Sequence, residues 1–485
     1  MPPGSLPYGP TDRAKNSTGE RTIVSGADFL QLDPGAVPRG QLTGWLVDAL
    51  RAAITDGRLA VGVRLPASRV LAVDLEVSRG VVVAAYQRLY DEGLLRTDGP
   101  RGTAVASAPP AVAVPPVRNA RPAPGVDLSP GVPDLSAFPR AAWLRAERAV
   151  LGSAAAADLG YGDPRGNPVL RRELAGWLGR TRGVRADAED IIVVAGVAQA
   201  LGLLAQVLAG ERAGIEDPGS RGTREQLAHW GVEPVPVPVD ADGLDVTALA
   251  RSGVRVVLVT PAHHFPTGVV LAPGRRRELL DWAAAGGLVI EDDYDAEHRY
   301  DRAPVPALQG MAPDRVAHTG SVSKTLAPGL RIGWVVAPRA LQPELVARKR
   351  MTDLGNAALP QLVLAQLIAS GELERHLRRV RTRQRARRDA MLAALRHHLP
   401  DARIHGVAAG LHLLVTFPPG LDDRVLAERA RDSGVLVQPL SWHRVADGPP
   451  GLVLGYAAHP PGRIHDAIAR LGASWDHAPA RGPRP

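Results

Sequence analysis

The sequence of 485 residues contains no cysteine, which excludes disulfide bonds and thiolate metal sites. Aromatic residues make up only 4 % of the chain, although hydrophobic residues together reach 45 %. No apolar run reaches the roughly 18 residues of a membrane-spanning helix, and the N-terminal MPPGSLPYGP lacks the apolar segment of a signal peptide. We therefore expect a soluble cytoplasmic protein, long enough for two or three hydrophobic cores.

The charge is modestly basic, and arginine carries nearly all of the positive charge. Lysine and arginine together number 58 against 50 acidic residues, which gives a formal net charge of +8. An excess of this size permits a nucleic-acid partner without requiring one.

Residues 26–105 carry the pattern of a winged helix-turn-helix. The polar segment before them, residues 1–25, is expected to be a disordered tail. Apolar side chains at helical spacing predict the first helix, and Ser78 is placed to cap the third. The predicted helices lie at 42–54, 69–75 and 79–92, and two short strands flank the turn at 99–102.

This pattern predicts a DNA-binding surface, because a recognition helix reads base edges with its N-terminal residues while arginines nearby hold phosphates. The charge over residues 41–103 is nearly balanced, so the hypothesis depends on where the arginines stand. The alternative is a three-helix module that binds protein. The residues expected to contact DNA are Arg64, Arg69, Ser78, Arg79 and Gly80, with Arg101 and Gly102 at the tip of the wing.

The proline-rich residues 106–125 are expected to form an extended linker between two domains. From 126 to 472, short apolar strands alternate with helices, which is typical of a mostly parallel α/β sheet followed by a smaller α+β part. Residues 473–485 are expected to be a second disordered tail. A long helix at 372–399 carries eight arginines between residues 375 and 388, and we expect it to be solvated or to face a dimer partner.

Polar residues at the strand ends fit a phosphorylated aldehyde cofactor built on a pyridine ring. Lys324 offers an amine for a Schiff base, and Asp292 suits the protonated ring nitrogen that makes the ring an electron sink. Tyr294 is suited to hydrogen-bond the phenolic oxygen of the ring. The phosphate cup is predicted from Ser321, Ser323 and Arg331.

Simpler interpretations stay open for these residues. Lys324 alone is compatible with a surface lysine in a polar loop, and residues 291–295 with a solvated acidic loop. His263 and His264 have no partner at metal-ligand spacing, so we expect polar turn residues there and predict no metal site.

Two resemblances sharpen these predictions. The stretch RLPASRVLAVDLEVSRGVVVAAYQRLYDEGLL, followed by GPRGTAV, resembles the DNA-binding domain of the GntR family of bacterial repressors. The motifs YGDPRG, EDP, EDDYDAEHRY, SVSKTLAPGLRIG and AAGLHLL, in this order, resemble fold-type I aminotransferases that use pyridoxal 5′-phosphate. Together they resemble the MocR subfamily of transcriptional regulators, which includes the GabR and PdxR types.

The resemblance implies a winged helix-turn-helix, then a large and a small aminotransferase-like domain, in a homodimer. It assigns to Lys324, Asp292 and Arg331 the cofactor roles named above. It adds the backbone amides of Val197 and Ala198 as phosphate donors. It also implies that Tyr161 reaches across a dimer interface to the neighbouring cofactor.

Five positions depart from the patterns of the related proteins. Gly80 and Val81 stand where GntR proteins often have two threonines. Ser220 stands where an aromatic residue usually stacks on the ring, and Phe265 where working aminotransferases have asparagine. The arginine that grips a substrate carboxylate would fall near Val453, and its absence makes efficient transamination unexpected.

We therefore expect a transcription factor that binds double-stranded operator DNA. Its effector would be pyridoxal 5′-phosphate, alone or as an aldimine with an amino acid, in the control of vitamin B6 or amino-acid metabolism. Two alternatives remain open. One is an active aminotransferase with an appended DNA-binding domain. The other is a regulator whose aminotransferase-like domain serves only for dimerisation.

Overall fold

Three short helices and a two-stranded wing form the first unit of the chain. They are α1 (Leu42–Thr55), α2 (Ser68–Asp74), α3 (Arg79–Asp91), β1 (Leu95–Thr97) and β2 (Thr103–Val105). Every third or fourth side chain of α1 is buried, as its apolar spacing predicts. Ser78 caps α3 by accepting a hydrogen bond from the Val81 N–H. The Tyr86 O–H donates to the Pro66 carbonyl at 2.9 Å, which ties α3 to the chain before α2.

The computed structural model describes residues 30, 32–35, 37–99, 102–107, 125–301 and 305–475. The chain divides into two compact units, residues 1–121 and 122–485. The predicted tail at 1–25, Arg101 and most of the predicted linker lie outside the described residues. The last helix ends at Trp475, beyond the boundary that the sequence predicts at residue 472.

The second unit begins with β3 (Val126–Asp127) and has an eight-stranded sheet at its centre. In chain order the strands of this sheet are β4 (Ile191–Val194), β5 (Arg212–Asp217), β6 (Glu233–Asp240), β7 (Gly243–Leu244), β8 (Val256–Val259), β9 (Leu288–Asp293), β10 (Val316–Ser321) and β11 (Gly333–Val336). Across the sheet they follow the order β4-β11-β10-β9-β8-β5-β6-β7. The five strands from β10 to β6 run parallel, whereas β11 and β7 are antiparallel to their neighbours. The sheet is mostly parallel, as predicted.

Helices cover both faces of this sheet. They are α4 (Arg140–Ser153), α5 (Pro168–Arg182), α6 (Val197–Val207), α7 (Arg221–His229), α8 (Val246–Arg251), α9 (Pro273–Ala284), α10 (Gln342–Asp353) and α11 (Ala358–Ala369). Ile191 and Val193 of β4 join one apolar core, whereas Ile192 and Val194 join the other. Because both faces are covered, the central strands are continuous apolar runs in the sequence.

β9 is longer than predicted and changes how the acidic residues are interpreted. It continues through Asp293, so the acids at its end belong to a strand and not to a solvated loop. Successive side chains of a strand point to opposite faces. Asp292 therefore lines a cavity, while Asp293 lies on the other face, where Arg182 Nε is 2.6 Å from its Oδ2.

The small domain follows as a separate α+β layer, as predicted. Its elements are α12 (Glu372–His398), β12 (Arg403–His405), β13 (His412–Thr416), α13 (Asp423–Asp432), β14 (Val435–Leu436), β15 (Gln438–Pro439), β16 (Gly451–Gly455) and α14 (Pro461–Trp475). The sheet order is β12-β13-β16-β15, and β14 pairs in parallel with β3. Among the helices that the structure describes, none has the length and apolar character needed to cross a membrane.

The arginine-rich helix α12 has a buried face in addition to a solvated one. Arg387 is only 4 % exposed, and its guanidinium lies 2.9 Å from the carboxylate of Asp134. Arg383 reaches the same carboxylate at 2.8 Å, and Arg381 donates to the Glu297 carbonyl. Part of the arginine run therefore makes contacts within the same chain. The sequence predicted only a helix that is solvated or faces a dimer partner.

The Arg182–Asp293 pair gives a test of how this fold is held. Arg182→Met leaves the Asp293 carboxylate buried without its cation, and we expect the free energy of unfolding to fall by about 3–5 kcal/mol. Urea denaturation followed by circular dichroism measures this loss. Arg180→Met, on the exposed face of the same helix, serves as the control and should change stability by less than about 0.5 kcal/mol. Equal effects of the two substitutions would contradict the role of the buried pair.

Candidate cofactor site and nucleic-acid interface

A cavity of about 360 Å³ opens at the carboxyl ends of β5, β8, β9 and β10. The ends of parallel strands are where open α/β sheets hold ligands. The cavity brings together eight of the nine residues predicted to bind the cofactor. They are Val197, Ala198, Asp292, Tyr294, Ser321, Ser323, Lys324 and Arg331.

Lys324 supplies the amine in this cavity. Lysine occurs at only three positions of the chain, 15, 324 and 349, and Lys349 is fully buried in an ion pair with Asp353 at 2.8 Å. Lys324 Nζ donates to the Gly131 carbonyl at 2.5 Å. Burial lowers the pKa of Lys324, against the opposing charges of Asp295 and Asp292. A lowered pKa increases the fraction of neutral amine, which is the form that attacks an aldehyde.

Gly131 is required at its position by both space and backbone conformation. Its φ of +84° lies in the left-handed region, and a Cβ there would stand 3.0 Å from Lys324 Nζ. The glycine therefore keeps the space around the amine open.

Asp292 carries a buried polar atom without a partner. Its Oδ1 has no hydrogen-bond partner among the described residues, and burial, aided by the charges of Asp293 and Asp295, raises the pKa of Asp292 to about 7. A protonated pyridine nitrogen is a donor and a cation, so it would satisfy this atom and restore ionisation of the carboxyl group. The donor set fits the ring of the predicted cofactor.

The opposite end of the cavity suits a phosphate. Gly196 precedes α6 with φ +88° and no side chain caps this helix, which leaves the first-turn amides of Val197 and Ala198 facing the cavity end. A Cβ on Gly196 would stand 3.2 Å from Arg331 Nη1, so the guanidinium lies against the helix start. Ser321 and Ser323 complete the same end.

Tyr161 is the predicted cofactor residue that lies elsewhere. Its side chain is 95 % exposed, and it lines a separate surface cleft of about 670 Å³ together with Leu159 and Leu354. Within one chain it does not reach the Lys324 cavity, so its predicted contact needs a second copy.

The cavity also contains residues that the sequence alone did not single out as ligand contacts. Glu216 lies at the end of β5, where its Oε2 accepts hydrogen bonds from the Thr260 hydroxyl at 2.7 Å and the Thr260 N–H at 3.0 Å. Burial raises the pKa of Glu216 to about 8. His412 and Gly131 line the walls. The motifs EDP and AAGLH contain two of these residues, but no spacing rule points to their side chains.

The predicted DNA-contacting residues lie on the surface of the first unit. Ser78, Arg79 and Gly80 are exposed at the start of α3, Arg69 is exposed in the first turn of α2, and Gly102 is exposed in the wing. Arg64 is half-buried and lies 3.5 Å from Asp98, so part of its charge is neutralised. Arg101 lies outside the described residues.

The total charge of this unit is nearly balanced, and its ion pairs determine which arginines keep an unneutralised positive charge. Arg51 of α1 pairs with Asp48 of its own helix and with Glu92 at the end of α3, and Arg58 and Arg88 pair with nearby acids. Within the described residues, Arg69 and Arg79 have no such acidic partner, and neither have Arg39 and Arg96. The cations without an acidic partner therefore include those where helices α2 and α3 begin.

Comparisons with known proteins agree with this geometry. The model for "Bacterial regulatory proteins, gntR family" matches residues 42–105, and the model for "Aminotransferase class I and II" matches residues 123–471. The chain is 33 % identical over 460 residues to the probable rhizopine catabolism regulatory protein MocR of Rhizobium meliloti, covering 89 % of this chain and 93 % of that protein. The chain belongs to the MocR subfamily of gntR-type regulators.

A second relative spans nearly the whole chain, and a solved structure matches a large part of it. The pyridoxine biosynthesis transcriptional regulator PdxR of Corynebacterium glutamicum is 34 % identical over 451 residues, with 90 % of this chain and 96 % of that protein covered. The structure of Pyrococcus horikoshii kynurenine aminotransferase aligns with a TM-score of 0.68 and 29 % identity over 72 % of this chain and 90 % of that one. An aminotransferase class I and II fold implies pyridoxal 5′-phosphate as cofactor.

The part of the cavity wall formed by Phe265 and Leu411 is apolar in this MocR-type chain, and Val453 lies behind Phe265, outside the lining residues. Val453 is fully buried on β16, in a cluster with Leu414 and Leu440 against which Phe265 packs. Among the lining residues, the cationic side chains are Lys324 and Arg331, and both face the predicted cofactor positions. The structure thus offers no second guanidinium at the cavity wall for a substrate carboxylate.

Asp292 gives a pH-dependent test in the ligand-free protein. Because its folded pKa lies above the ordinary value of 3.8, Asp292 destabilises the folded state as pH rises from about 4 to 7. Asp292→Asn removes this dependence and should raise the free energy of unfolding at pH 8 by up to about 4 kcal/mol, with little change at pH 4. Urea denaturation at both pH values measures the difference. The control Asp281→Asn, at an exposed position of α9, should show no pH-dependent gain, and parallel curves for Asp292→Asn and wild type would contradict the assignment.

Proposed function

We propose that this chain is a DNA-binding transcriptional regulator that takes pyridoxal 5′-phosphate as effector in the Lys324 cavity. The observation that carries the proposal is the convergence of an amine, an unpartnered buried carboxyl and an uncapped helix start around one cavity. The carboxyl group belongs to β9, the amine to the loop after β10 and the helix start to α6. A structural lysine or a solvated acidic loop would not require this arrangement.

The chemistry of the cavity follows from its own side chains. Pyridoxal 5′-phosphate supplies an aldehyde that condenses with a primary amine and a ring that withdraws electrons when its nitrogen is protonated. Lys324 provides the amine, and Asp292 holds the proton on the ring nitrogen. Arg331 and the amides at the start of α6 bind the phosphate. The cavity therefore recognises both ends of one small molecule.

Regulation follows from linkage between this cavity and the DNA-binding unit. A ligand shifts an equilibrium only by its difference in affinity for two states. We propose that cofactor binding favours one arrangement of a homodimer and so changes the spacing of its two winged helices on an operator. Exposed Tyr161, Leu159 and Leu354, which share one surface cleft, are the proposed contacts to the second copy. DNA binding would put this activity in the cytoplasm.

The lining of the cavity favours the cofactor itself as the signal. An amino-acid adduct would bring a carboxylate to the Val453 side, where the wall is apolar. Burying a carboxylate without a charged partner is unfavourable by several kcal/mol. The PdxR relative is named for pyridoxine biosynthesis, and control of vitamin B6 genes fits this preference.

An active aminotransferase is the second candidate, and one observation favours it. Lys324, Asp292 and Tyr294 share one cavity on a fold whose solved neighbours include aminotransferases. The wall near Val453 argues against efficient turnover. Regulation without turnover therefore remains our proposal.

Lys324→Ala tests the covalent part of the proposal. The wild type should develop a visible absorption band when pyridoxal 5′-phosphate is added, and borohydride reduction should fix the cofactor on the peptide that contains residue 324. Lys324→Ala should lose the band and the effect of the cofactor on operator binding, because no other cavity residue offers a primary amine. The control Lys15→Ala should keep both. Unchanged regulation in Lys324→Ala would refute the proposal.

Arg79 and Arg69 test the DNA-binding part. An operator is first selected from random DNA with the wild-type protein. Arg79→Ala should weaken binding to it by roughly 10- to 100-fold and relax its specificity, since a base contact contributes about 1–3 kcal/mol. Arg69→Ala should lower the slope of log K against log salt by about one, because one phosphate contact is lost.

Arg58→Ala is the matched control for both substitutions. Arg58 is also an exposed arginine of the first unit, but it pairs with Asp56 at 2.8 Å. Its loss should leave affinity and salt dependence near those of the wild type. A loss equal to that of Arg79→Ala would show that the effect is one of general charge and would contradict the assigned interface.

A further inference from the structure

His263, Asp295 and Tyr294 form a buried polar triad at the wall of the cavity. His263 and Asp295 are outside the set of groups that the proposed function uses. His263 Nδ1 lies 2.9 Å from Asp295 Oδ2 and 3.1 Å from the Tyr294 hydroxyl. The His263 and Asp295 side chains are 2 % and 1 % exposed. The two residues are 32 positions apart in sequence, on the loops after β8 and β9. Tyr294 lines the cavity, so the triad connects the cavity wall with the protein interior.

We propose that His263 is a positioning residue, which occupies Asp295 and thereby directs the Tyr294 hydroxyl proton into the cavity, toward the phenolic oxygen of the bound ligand. This inference rests on the proposed function, because it concerns the same ligand. It assigns to His263 a role in setting the proton affinity of the bound cofactor.

The proton positions follow from counting donors and acceptors. An ionised carboxylate only accepts hydrogen bonds, so His263 Nδ1 must carry the hydrogen that it shares with Asp295. Nδ1 therefore cannot accept the Tyr294 proton, and it approaches the hydroxyl as a donor to its oxygen. The hydroxyl proton is left with two possible acceptors, Asp295 and a ligand in the cavity. As long as His263 occupies Asp295, the ligand is the favoured acceptor.

The surrounding backbone fixes His263 in this position. Gly410 has φ +74°, and a Cβ there would overlap the His263 ring and stand 2.8 Å from Asp295 Oδ2. The Gly410 carbonyl accepts hydrogen bonds from Tyr300 at 2.5 Å and Tyr456 at 2.6 Å. Two tyrosines therefore hold a glycine of the small domain against the triad, and the imidazole has no room to rotate away.

The other titratable groups around Tyr294 agree with its role as a donor. Burial raises the pKa of Tyr294 well above its ordinary value, and the charges of Asp295, Asp292 and Glu216 and a side-chain hydrogen bond to Asp295 act in the same direction. The tyrosine therefore stays protonated at neutral pH. The remaining titratable groups that face the triad or the cavity wall beside it are His264, His298, His412 and Lys324. Burial lowers the pKa of His412 to about 3, so this ring brings no positive charge.

Two residues of the triad, His263 and Asp295, also form a potential metal-binding group with His412, but the hydrogen bonds of these residues favour a different role. One ligand atom each from His263, Asp295 and His412 lie within 4.8 Å of one another. His263 Nδ1 is already bonded to Asp295, and His412 Nε2 lies 3.2 Å from the Pro266 carbonyl. We therefore assign a hydrogen-bonded triad.

The test compares two amide substitutions of His263 in the full-length protein. His263→Asn keeps a donor near the Nδ1 position, whereas His263→Gln moves its amide to the Nε2 position. Pyridoxal 5′-phosphate is added, and the midpoint of the pH-dependent change in its visible absorption is recorded. His263→Gln should raise this midpoint by about one pH unit, because a ring oxygen that loses its donor increases the proton affinity of the ligand by about tenfold. His263→Asn should stay near the wild type.

A double-mutant cycle separates positioning from general loss of structure. Tyr294→Phe alone should raise the midpoint by the same amount, and His263→Gln combined with Tyr294→Phe should add nothing further. His405→Gln is the control, since this half-buried histidine bonds Thr416 on the small-domain sheet. Should His263→Gln fail to fold by circular dichroism, His263→Leu takes its place.

The outcomes distinguish this inference from the proposed function. A wild type without a visible band would overturn both. A wild type with a band and a His263→Gln variant whose midpoint is unchanged would overturn the inference alone. Additive shifts in the double variant, or a His263→Asn variant that shifts as far as His263→Gln, would also overturn it.

Discussion

The alternation of side chains along β9 is the constraint on which the rest of the second unit depends. Successive side chains of a strand point to opposite faces of the sheet, and the last two side chains of β9 are Asp292 and Asp293. On one face of the sheet, Asp293 Oδ2 lies 2.6 Å from Arg182 Nε. Asp292 faces a cavity with an oxygen that no described residue satisfies. The first carboxyl group is stabilised by the protein, and the second gains a partner only when a cationic ligand binds.

The unsatisfied carboxyl group of Asp292 makes a cationic partner favourable in this cavity. Burial raises the pKa of Asp292 to about 7, so the ligand-free site favours the neutral acid. A protonated ring nitrogen reverses this preference. The same burial lowers the pKa of Lys324, which makes its amine available for covalent chemistry. One low-dielectric cavity thus prepares an acid and an amine for the same small molecule.

The small domain supplies part of the cavity wall through Leu411 and His412. Val453 on its strand β16 is fully buried in the cluster against which Phe265 packs, and its Gly410 segment packs directly on His263 and Asp295. The small domain therefore contacts both the cavity and the polar residues beside it. In the gntR-type unit, Arg51, Arg58 and Arg88 lie in ion pairs, and Arg64 lies 3.5 Å from Asp98. The arginines that start α2 and α3 have no acidic partner within the described residues, which leaves positive charge at the two helix starts.

The sequence by itself determined the element types and the family, and it predicted eight residues that the structure brings together at one cavity. Apolar periodicity, caps and turn residues are local signals, and Lys324, Asp292 and Arg331 stand in motifs that follow one another along the chain. The tertiary structure alone decided the length of β9, the burial of Arg387 and the pairing of His263 with Asp295 across 32 residues. It also separated Tyr161 from the cavity of its own chain. Such contacts join residues that are distant in sequence, and they form only when packed elements bring the side chains together, so no local pattern encodes them.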